Sequence, residues 1–391
     1  MSRAVNPGPR NVIDSAMTDP SQEPAPNTTP VKELVVVNAT GRQASSVVRV
    51  ASAVGYKVRA QLRSLKKDLQ LSAELRLLPN VTLVEGSLDD QTFVDRLFVG
   101  AQYAFVNTTP YAWTDEIATG KSLALAALKA GIRHYVFSSL TDHSTHDPPQ
   151  ESLPLWATKF TVEQYIRQLG LPSTFVYVGS YHNNFSSRPY PLWQLTPRAD
   201  GGFVWKAPFP PDYPIPFIDT EHDLGAAVIQ IFKDGVKRWG GQRYAFSFSL
   251  SSPRVSALRH ISVATNQSRP GFRIPLAFEV LTPLQVCSAF SRALGRPVNY
   301  QPHPLEIRTP IPSGYRDQLE GIVRVLCEQR ASYFRPEMEG SATEISRALW
   351  PGWRGMEEYA REVWPIEEKA NGASWIASGV ATPASEMEGD N

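Results

Sequence analysis

Short β-branched runs alternate with amphipathic stretches of ten to fifteen residues from Glu33 to about Val178, and this rhythm limits the fold more than any other feature. The strand candidates are "ELVVVN" (33–38), "YKVRAQL" (56–62), "VTLVEG" (81–86), "AQYAFVN" (101–107), "RHYVFSS" (133–139) and "PSTFVYV" (172–178). Helical patterns fill the gaps at 42–54, 66–78, 90–98, 115–130 and 157–169. Strands separated by helix-length segments pair in parallel, with helices on both faces of the sheet. Right-handed crossovers then give an α/β fold, a Rossmann-type doubly wound parallel sheet, whose ligands lie outside the carboxyl ends of the strands at the switch point.

The texture changes after Tyr181. "NNFSSRPYPLWQLTPRADGGFVWKAPFPPDYPIPFID" is rich in proline and aromatic residues, and helical patterns return at 221–234, 283–294, 314–330, 341–348 and 353–370. These predict a smaller C-terminal α/β lobe. The expected organisation is a disordered tail over 1–30, a dinucleotide-binding domain over 31–180, the smaller lobe over 181–370 and a second tail over 371–391. One stretch breaks the pattern. Between Phe248 and Leu276 there is no Asp, Glu or Lys but there are four arginines, which predicts an insertion loop over 248–276. It reads either as a basic patch for nucleic acid or as a loop without a selected role. The flanking "YAFSFSLSSP" (244–253) and "LAFEVLTP" (276–283) resemble each other, and either can supply the same strand and turn.

Composition narrows the function classes. A chain of 391 residues with a formal net charge of +1 has no global field to draw it onto DNA or an acidic membrane. It lacks any run of 18 apolar residues, so no membrane span is expected. The first thirty residues hold six prolines and no apolar signal region. Two cysteines, Cys287 and Cys327, give neither a disulfide framework nor a thiolate metal site; they read as buried thiols in a reducing compartment.

The first strand runs into "VVVNATGRQASS" (35–46), placed as a dinucleotide fingerprint must be, after a strand and opening a helix. Aligned with G-x-x-G-x-x-G, Asn38 takes the first glycine position, Gly41 the second and Ala44 the third. Asn tolerates positive φ better than other non-glycine residues. Gly41 keeps backbone close to a pyrophosphate, and Ala44 adds one methyl to the helix–strand contact. Ala39, Thr40, Arg42 and Gln43 complete the turn, and the helix start still favours an anion. The second strand ends without the acid that binds a ribose 2′-hydroxyl. Arg63, Ser64, Lys66 and Lys67 stand there instead, so NADP is accommodated and NAD is not excluded. Val84 and Glu85 end the third strand where they flank an adenine, and Asn107, Thr108 and Thr109 end the fourth where they pass beneath the second ribose.

Reductases on this sheet pair a Tyr with a Lys in Y-x-x-x-K, the Tyr giving the proton and the Lys lowering its pKa. Here Lys159 is preceded four residues earlier by Leu155, which has no proton to give. Ser138 and Ser139 stand where the serine belongs, without that partner. Tyr165 lies about 240° around the helix from Lys159 and cannot substitute. Lys159 therefore keeps a ribose contact and loses the relay. The alternative is an NADPH-dependent reductase of the isoflavone-reductase-like type using Lys159, with Glu163 one turn on able to pair with it. "DHSTHD" (142–147) invites a metal reading, but its ligands lie in one loop with no second cluster, so a polar loop is expected.

"VVNATGRQASS", "GLPSTFVYVG", "KFTVEQYIRQLG", "LQVCSAFSRALGR" and "MEEYAREVWPIEE" together closely resemble the NmrA-like family, regulators of nitrogen metabolite repression in filamentous fungi and atypical members of the short-chain dehydrogenase superfamily. The likeness runs from about Leu34 to Trp375, apart from 248–276 and the loop near 333–345. It implies a non-enzymatic redox sensor that prefers oxidised NAD or NADP and represses transcription by docking on a GATA-type zinc-finger activator rather than on DNA, in the nucleus and cytoplasm. By motif it carries the nucleotide contacts onto the residues named above, and onto Asn183 and Asn184 of "YHNNF". It carries the partner surface onto "DTEHD" and the helix after it, with Glu221, Asp223, Gln230 and Phe232 on or near one face. The same acids also suit a helix N-terminus.

Overall fold

The computed structural model describes residues 32–66, 69–110, 115–186, 191–239, 271–307, 311 and 314–372. Lys67, the expected N-terminal tail, residues 240–270 and all of the expected C-terminal tail beyond Gly372 lie outside the described residues. The first half runs β1 (Glu33–Val36), α1 (Arg42–Ala53), β2 (Lys57–Leu62), α2 (Leu69–Leu77), β3 (Val81–Glu85), α3 (Gln91–Leu97), β4 (Tyr103–Val106), α4 (Glu116–Lys129), β5 (His134–Ser139), α5 (Pro154–Leu169) and β6 (Ser173–Val178). The second half adds β7 (Ser180–Tyr181), β8 (Leu195–Pro197), β9 (Phe203–Ala207), β10 (Ile215–Ile218), α6 (Thr220–Asp234), α7 (Val236–Trp239), β11 (Phe272–Leu276), β12 (Glu279–Leu281), α8 (Pro283–Leu294), β13 (Val298–Pro302), α9 (Tyr315–Ile322), α10 (Pro336–Glu339), α11 (Ala342–Leu349), α12 (Met356–Glu362) and α13 (Trp364–Ala370). A π-helical turn over Val323–Glu328 continues α9.

The large sheet has seven strands in the order β11-β6-β5-β4-β1-β2-β3, every adjacent pair parallel. The order reverses between β1 and β4, so the crevice where a ligand belongs opens beside the turn that follows β1. Every residue of β5 and β6 is buried, as expected of strands covered on both faces.

The outermost strand corrects one expectation. Residues 272–276, assigned from sequence to an insertion, form β11 and pair with β6 from Phe272 opposite Thr174 to Leu276 opposite Val178. "FRIPL" hides its strand character because Arg273 and Pro275 break the apolar run. At a sheet edge Pro275 loses no ladder bond. Arg273 turns back over α5 to reach Glu163 at 2.7 Å. The large sheet thus draws a strand from well beyond residue 180.

Helix α6 also belongs to this sheet's core: Leu224, Val228 and Ile231 pack in one cluster with Val47 and Val48 of α1. The two helices nearly touch at Gly225, where an added Cβ would lie 2.3 Å from the Ser46 carbonyl oxygen. Ser46 Oγ donates to the Glu221 carbonyl at 2.9 Å and accepts from Gly225 N at 2.9 Å. This contact fixes the start of α6 against the start of α1. The smaller lobe has its own core, in which Trp193 stacks on Trp205 with Phe217, Phe290 and Trp364 around them. Among the described residues no helix is long and apolar enough to cross a membrane.

Candidate functional site

The turn after β1 is built as its sequence requires. Asn38 adopts φ 58°, in the left-handed region, and its Nδ2 donates to the Asn107 carbonyl at 2.6 Å. Its backbone N–H donates to Gln61 Oε1 at 3.0 Å, and Gln61 Nε2 donates onward to the Gly86 carbonyl at 2.9 Å. Ala39 N donates to the Gln61 carbonyl at 2.7 Å. Three neighbouring strand ends are thereby stitched to the turn. Gln61 was not singled out from sequence; the available signal was an amide at a fully buried strand position. Gly41 N donates to the Asn38 carbonyl at 2.8 Å, and a Cβ on Gly41 would stand 3.2 Å from that oxygen. Ala44 is buried against the sheet, and Thr40 is half-buried beside it.

Helix α1 starts with no side-chain cap and no acid in its first turn. Its leading amides are left for an anion. Gln43 is buried, donates from Nε2 to Tyr181 Oη at 2.5 Å, and leaves its Oε1 without a partner. An uncapped helix start, a close-approach glycine and an orphaned buried acceptor in one cleft fit a dinucleotide.

That cleft has a volume of about 430 Å³. Its polar lining includes Gly41, Arg42, Gln43, Asn107, Thr108, Thr109, Lys159 and Asn184; much of the rest is apolar and aromatic, with Leu155, Trp156, Trp193, Phe209, Tyr213, Tyr315 and Tyr333. These aromatic walls are not legible from sequence, because they come from four separate segments of the smaller lobe and from α5. Leu155, four residues ahead of Lys159, stands in the wall itself.

Lys159 is buried and donates to Asn107 Oδ1 at 3.2 Å, to Thr108 Oγ1 at 3.0 Å and to the Thr108 carbonyl. Its ion-pair partner is Glu116, at 3.1 Å. Burial pulls the ammonium below its ordinary pKa, and Glu116 opposes that. The pairing with Glu163 anticipated from sequence does not form. Glu163 is held instead by Arg167 at 2.9 Å, Arg273 at 2.7 Å and the Tyr177 hydroxyl at 2.6 Å. Burial pushes that carboxyl up, but the two guanidiniums outweigh it and hold it below the usual range.

Other expected contacts lie at the strand ends beside the cleft rather than in its walls. Arg63 and Lys66 are exposed and Ser64 is half-buried, its Oγ accepting from Lys66 N at 3.2 Å. Glu85 ties this loop down by accepting from Leu65 N at 3.2 Å, and Val84 is half-buried next to it. Asn183 is buried and donates from Nδ2 to Glu221 Oε1 at 3.2 Å.

The anticipated partner face needs a larger correction. Asp223 is fully buried, accepts from Arg354 N at 3.2 Å and pairs with His222 Nδ1 at 2.6 Å. Phe232 is buried, edge-on to Tyr103 and His134 with centroids 5.3 Å away in each case. Neither is available to another protein. Nine residues apart, they stand about 180° around α6 from each other: Phe232 turns to β4 and β5, and Asp223 to the segment at Arg354. Gln230 is half-buried and donates to Asp234 at 2.7 Å. Glu221 alone of the four is exposed, and it bridges Arg42 of the phosphate turn at 2.9 Å.

In "DHSTHD", His143 Nε2 meets the Ser332 carbonyl at 3.0 Å, His146 Nε2 meets Thr141 Oγ1 at 2.9 Å and Asp142 caps a short 3-10 turn. Among the described residues no group of three His, Cys, Asp or Glu is arranged to hold a metal. Cys287 and Cys327 are both free and buried.

The family model described as NmrA-like family matches residues 30–258 and 261–360. The chain belongs to the NmrA-like family. This NmrA-like chain is 48% identical over 380 residues to the nitrogen metabolite repression protein nmrA of Emericella nidulans, covering 88% of this chain and 98% of that one. It is 42% identical over 391 residues to the nitrogen metabolite repression protein nmr of Neurospora crassa, covering 91% and 73%. A solved structure of NmrA, described as a negative transcriptional regulator in complex with NADP, superposes with a TM-score of 0.77 at 52% identity over 88% of this chain and 99% of that one. A complex of NmrA with NAD matches equally well.

Proposed function

We propose that this NmrA-like protein binds NAD or NADP without reacting it and represses genes of nitrogen metabolism by holding a GATA-type zinc-finger activator. The observation that carries the reading is the phosphate turn: Asn38 at positive φ, Gly41 against its carbonyl and an uncapped α1 behind them. Arg42, Gln43, Asn107, Thr108, Thr109, Lys159 and Asn184, which share the cleft, are the residues to hold the nucleotide, with Arg63 and Lys66 beside a 2′-phosphate. A bound dinucleotide is a hydride carrier. Leu155 offers no proton to accompany a hydride, and the Lys159 charge is already balanced by Glu116. With that charge balanced, a cationic nicotinamide meets no net repulsion there, and we take the oxidised forms to be the preferred ones. The names of the relatives from Emericella nidulans and Neurospora crassa support the regulatory role. Acting on an activator puts the protein in the nucleus as well as the cytoplasm.

Docking falls to Glu221 and the exposed rim at the start of α6, since a DNA-binding zinc finger is basic and rim charges set the encounter rate. Glu221→Lys reverses that charge and also repels Arg42. Capture of an immobilised GATA-type finger should fall severalfold in Glu221→Lys and stay low in the charge-swapped Arg42→Glu, Glu221→Arg pair, which restores the bridge but not the acid at 221; recovery in the pair would mean that only the turn was disturbed. Capture equal to wild type in Glu221→Lys would move the interface elsewhere.

A further inference from the structure

The guanidinium at the start of α1 faces two acids. Arg42 Nη1 donates to Glu221 Oε1 at 2.9 Å and lies 3.8 Å from Glu367 Oε1 of α13. A pyrophosphate brought to this helix start is opposed by both carboxylates unless Arg42 changes partner or one acid loses its charge. Glu367 is the better placed to lose it. Its side chain is 23% exposed, against 42% for Glu221. Its Oε2 accepts from Ser186 Oγ at 2.5 Å and from Tyr359 Oη at 2.6 Å, which leaves Oε1, the oxygen beside Arg42, to carry a proton. Burial holds this carboxyl above its usual range; the Ser186 and Tyr359 hydroxyls and Arg42 pull it down, and Glu221 adds to the rise. Behind Tyr359 stand the His182 ring, with centroids 5.4 Å apart, and Asp219, which Arg354 pairs at 3.1 Å. Burial and then Glu367 keep the Tyr359 hydroxyl protonated.

We propose that Glu367 is a positioning residue of the dinucleotide site, giving up Arg42 to the pyrophosphate and taking a proton from solvent on Oε1 as it does so. The guanidinium cannot be the group that titrates, since arginine stays protonated. Moving Arg42 away from Glu367 removes a charge that favours the carboxylate, and the arriving anion adds one that disfavours it, so both changes drive the same proton on. Proton and dinucleotide are then linked ligands, each tightening the other. The inference rests on the reading that a dinucleotide occupies the turn, and it is independent of partner docking.

The probe is NAD⁺, because it lacks the 2′-phosphate that itself titrates near neutrality. Calorimetric titration of the full chain in two buffers of unequal ionisation heat, at the same pH, counts the protons taken up on binding. The wild type should take up a sizeable fraction of a proton at pH 7, and its affinity should rise about threefold from about pH 8 to about 6.5. Glu367→Gln keeps the side-chain shape and an oxygen for Ser186 and Tyr359 but removes the charge. It should abolish the uptake, flatten the pH profile and bind NAD⁺ about threefold to tenfold more tightly at pH 8. Glu221→Gln should leave the uptake in place. Binding to the wild type without proton uptake, or uptake undiminished in Glu367→Gln, would overturn this inference and leave the nucleotide reading standing. No binding of NAD⁺ to the wild type at all would overturn both.

Discussion

Lys159 and Glu116 face each other at 3.1 Å with 8% of each side chain exposed, and Thr108 and Thr158 donate their hydroxyls to the same carboxylate at 2.6 and 3.2 Å. The lysine that in a reductase would tune a tyrosine is here one half of a closed ion pair between α4 and α5. Breaking a buried pair strands the remaining charge, and that costs more than the pair itself contributes.

Glu116→Gln should therefore destabilise the protein by about 3 kcal/mol, at the low end for a stranded buried charge because Lys159 keeps its bonds to Asn107 and Thr108. Adding Lys159→Met should restore most of the loss. Urea unfolding of the single and double variants checks this; a single variant within 1 kcal/mol of wild type, as a rough threshold, would mean that the pair is solvated.

The phosphate turn makes a second prediction through one torsion angle. Asn38 sits at φ 58°, where glycine is at ease and a β-branched residue is strained. Asn38→Gly should keep nucleotide affinity within about threefold, since the loss of the Nδ2 bond to Asn107 is partly offset by freedom from strain. Asn38→Val should lose about 1–2 kcal/mol of stability and at least tenfold in affinity. Thermal unfolding with and without NADP⁺ separates the two variants. Equal behaviour would show that the angle is not required.

Much of this was legible beforehand, and the failures share a cause. Six strands and five helices of the large sheet follow from period alone, because each strand is apolar and each helix two-faced. The turn was readable because Asn is the non-glycine residue best suited to its first position. What escaped is what depends on tertiary neighbours. β11 was hidden by Arg273 and Pro275, a charge and a ring tolerated only at an edge beside Glu163. Asp223 is covered by the segment at Arg354 and Phe232 by Tyr103 and His134, and spacing alone cannot say which sides of α6 are covered. The aromatic wall converges from segments far apart in the chain.

Acid should weaken the fold through its histidines. Burial pushes His134 and His143 down to about 4, and His146 is lowered as well, first by burial and then by Arg335. The unfolded chain takes up these protons near pH 6.5 while the folded one refuses them, so stability falls as pH drops through this interval. Each of the two deeply buried rings withdraws about 1.4 kcal/mol per pH unit between about 6 and 4. His222 works the other way, raised by its bond to Asp223, but it is half-exposed. Urea midpoints between pH 7 and 5 should fall in the wild type and fall less in His134→Gln. Identical slopes in the two proteins would show that His134 is protonated in the folded state.

Occupancy of the turn by an unreacted dinucleotide is the claim on which the rest depends, and calorimetric titration with NAD⁺, NADP⁺, NADH and NADPH tests it most directly. One-to-one binding of both oxidised forms in the micromolar to millimolar range, with much weaker binding of the reduced forms, is the expected result. No heat of binding from any of the four, or equal affinity for NADP⁺ and NADPH, would contradict the account.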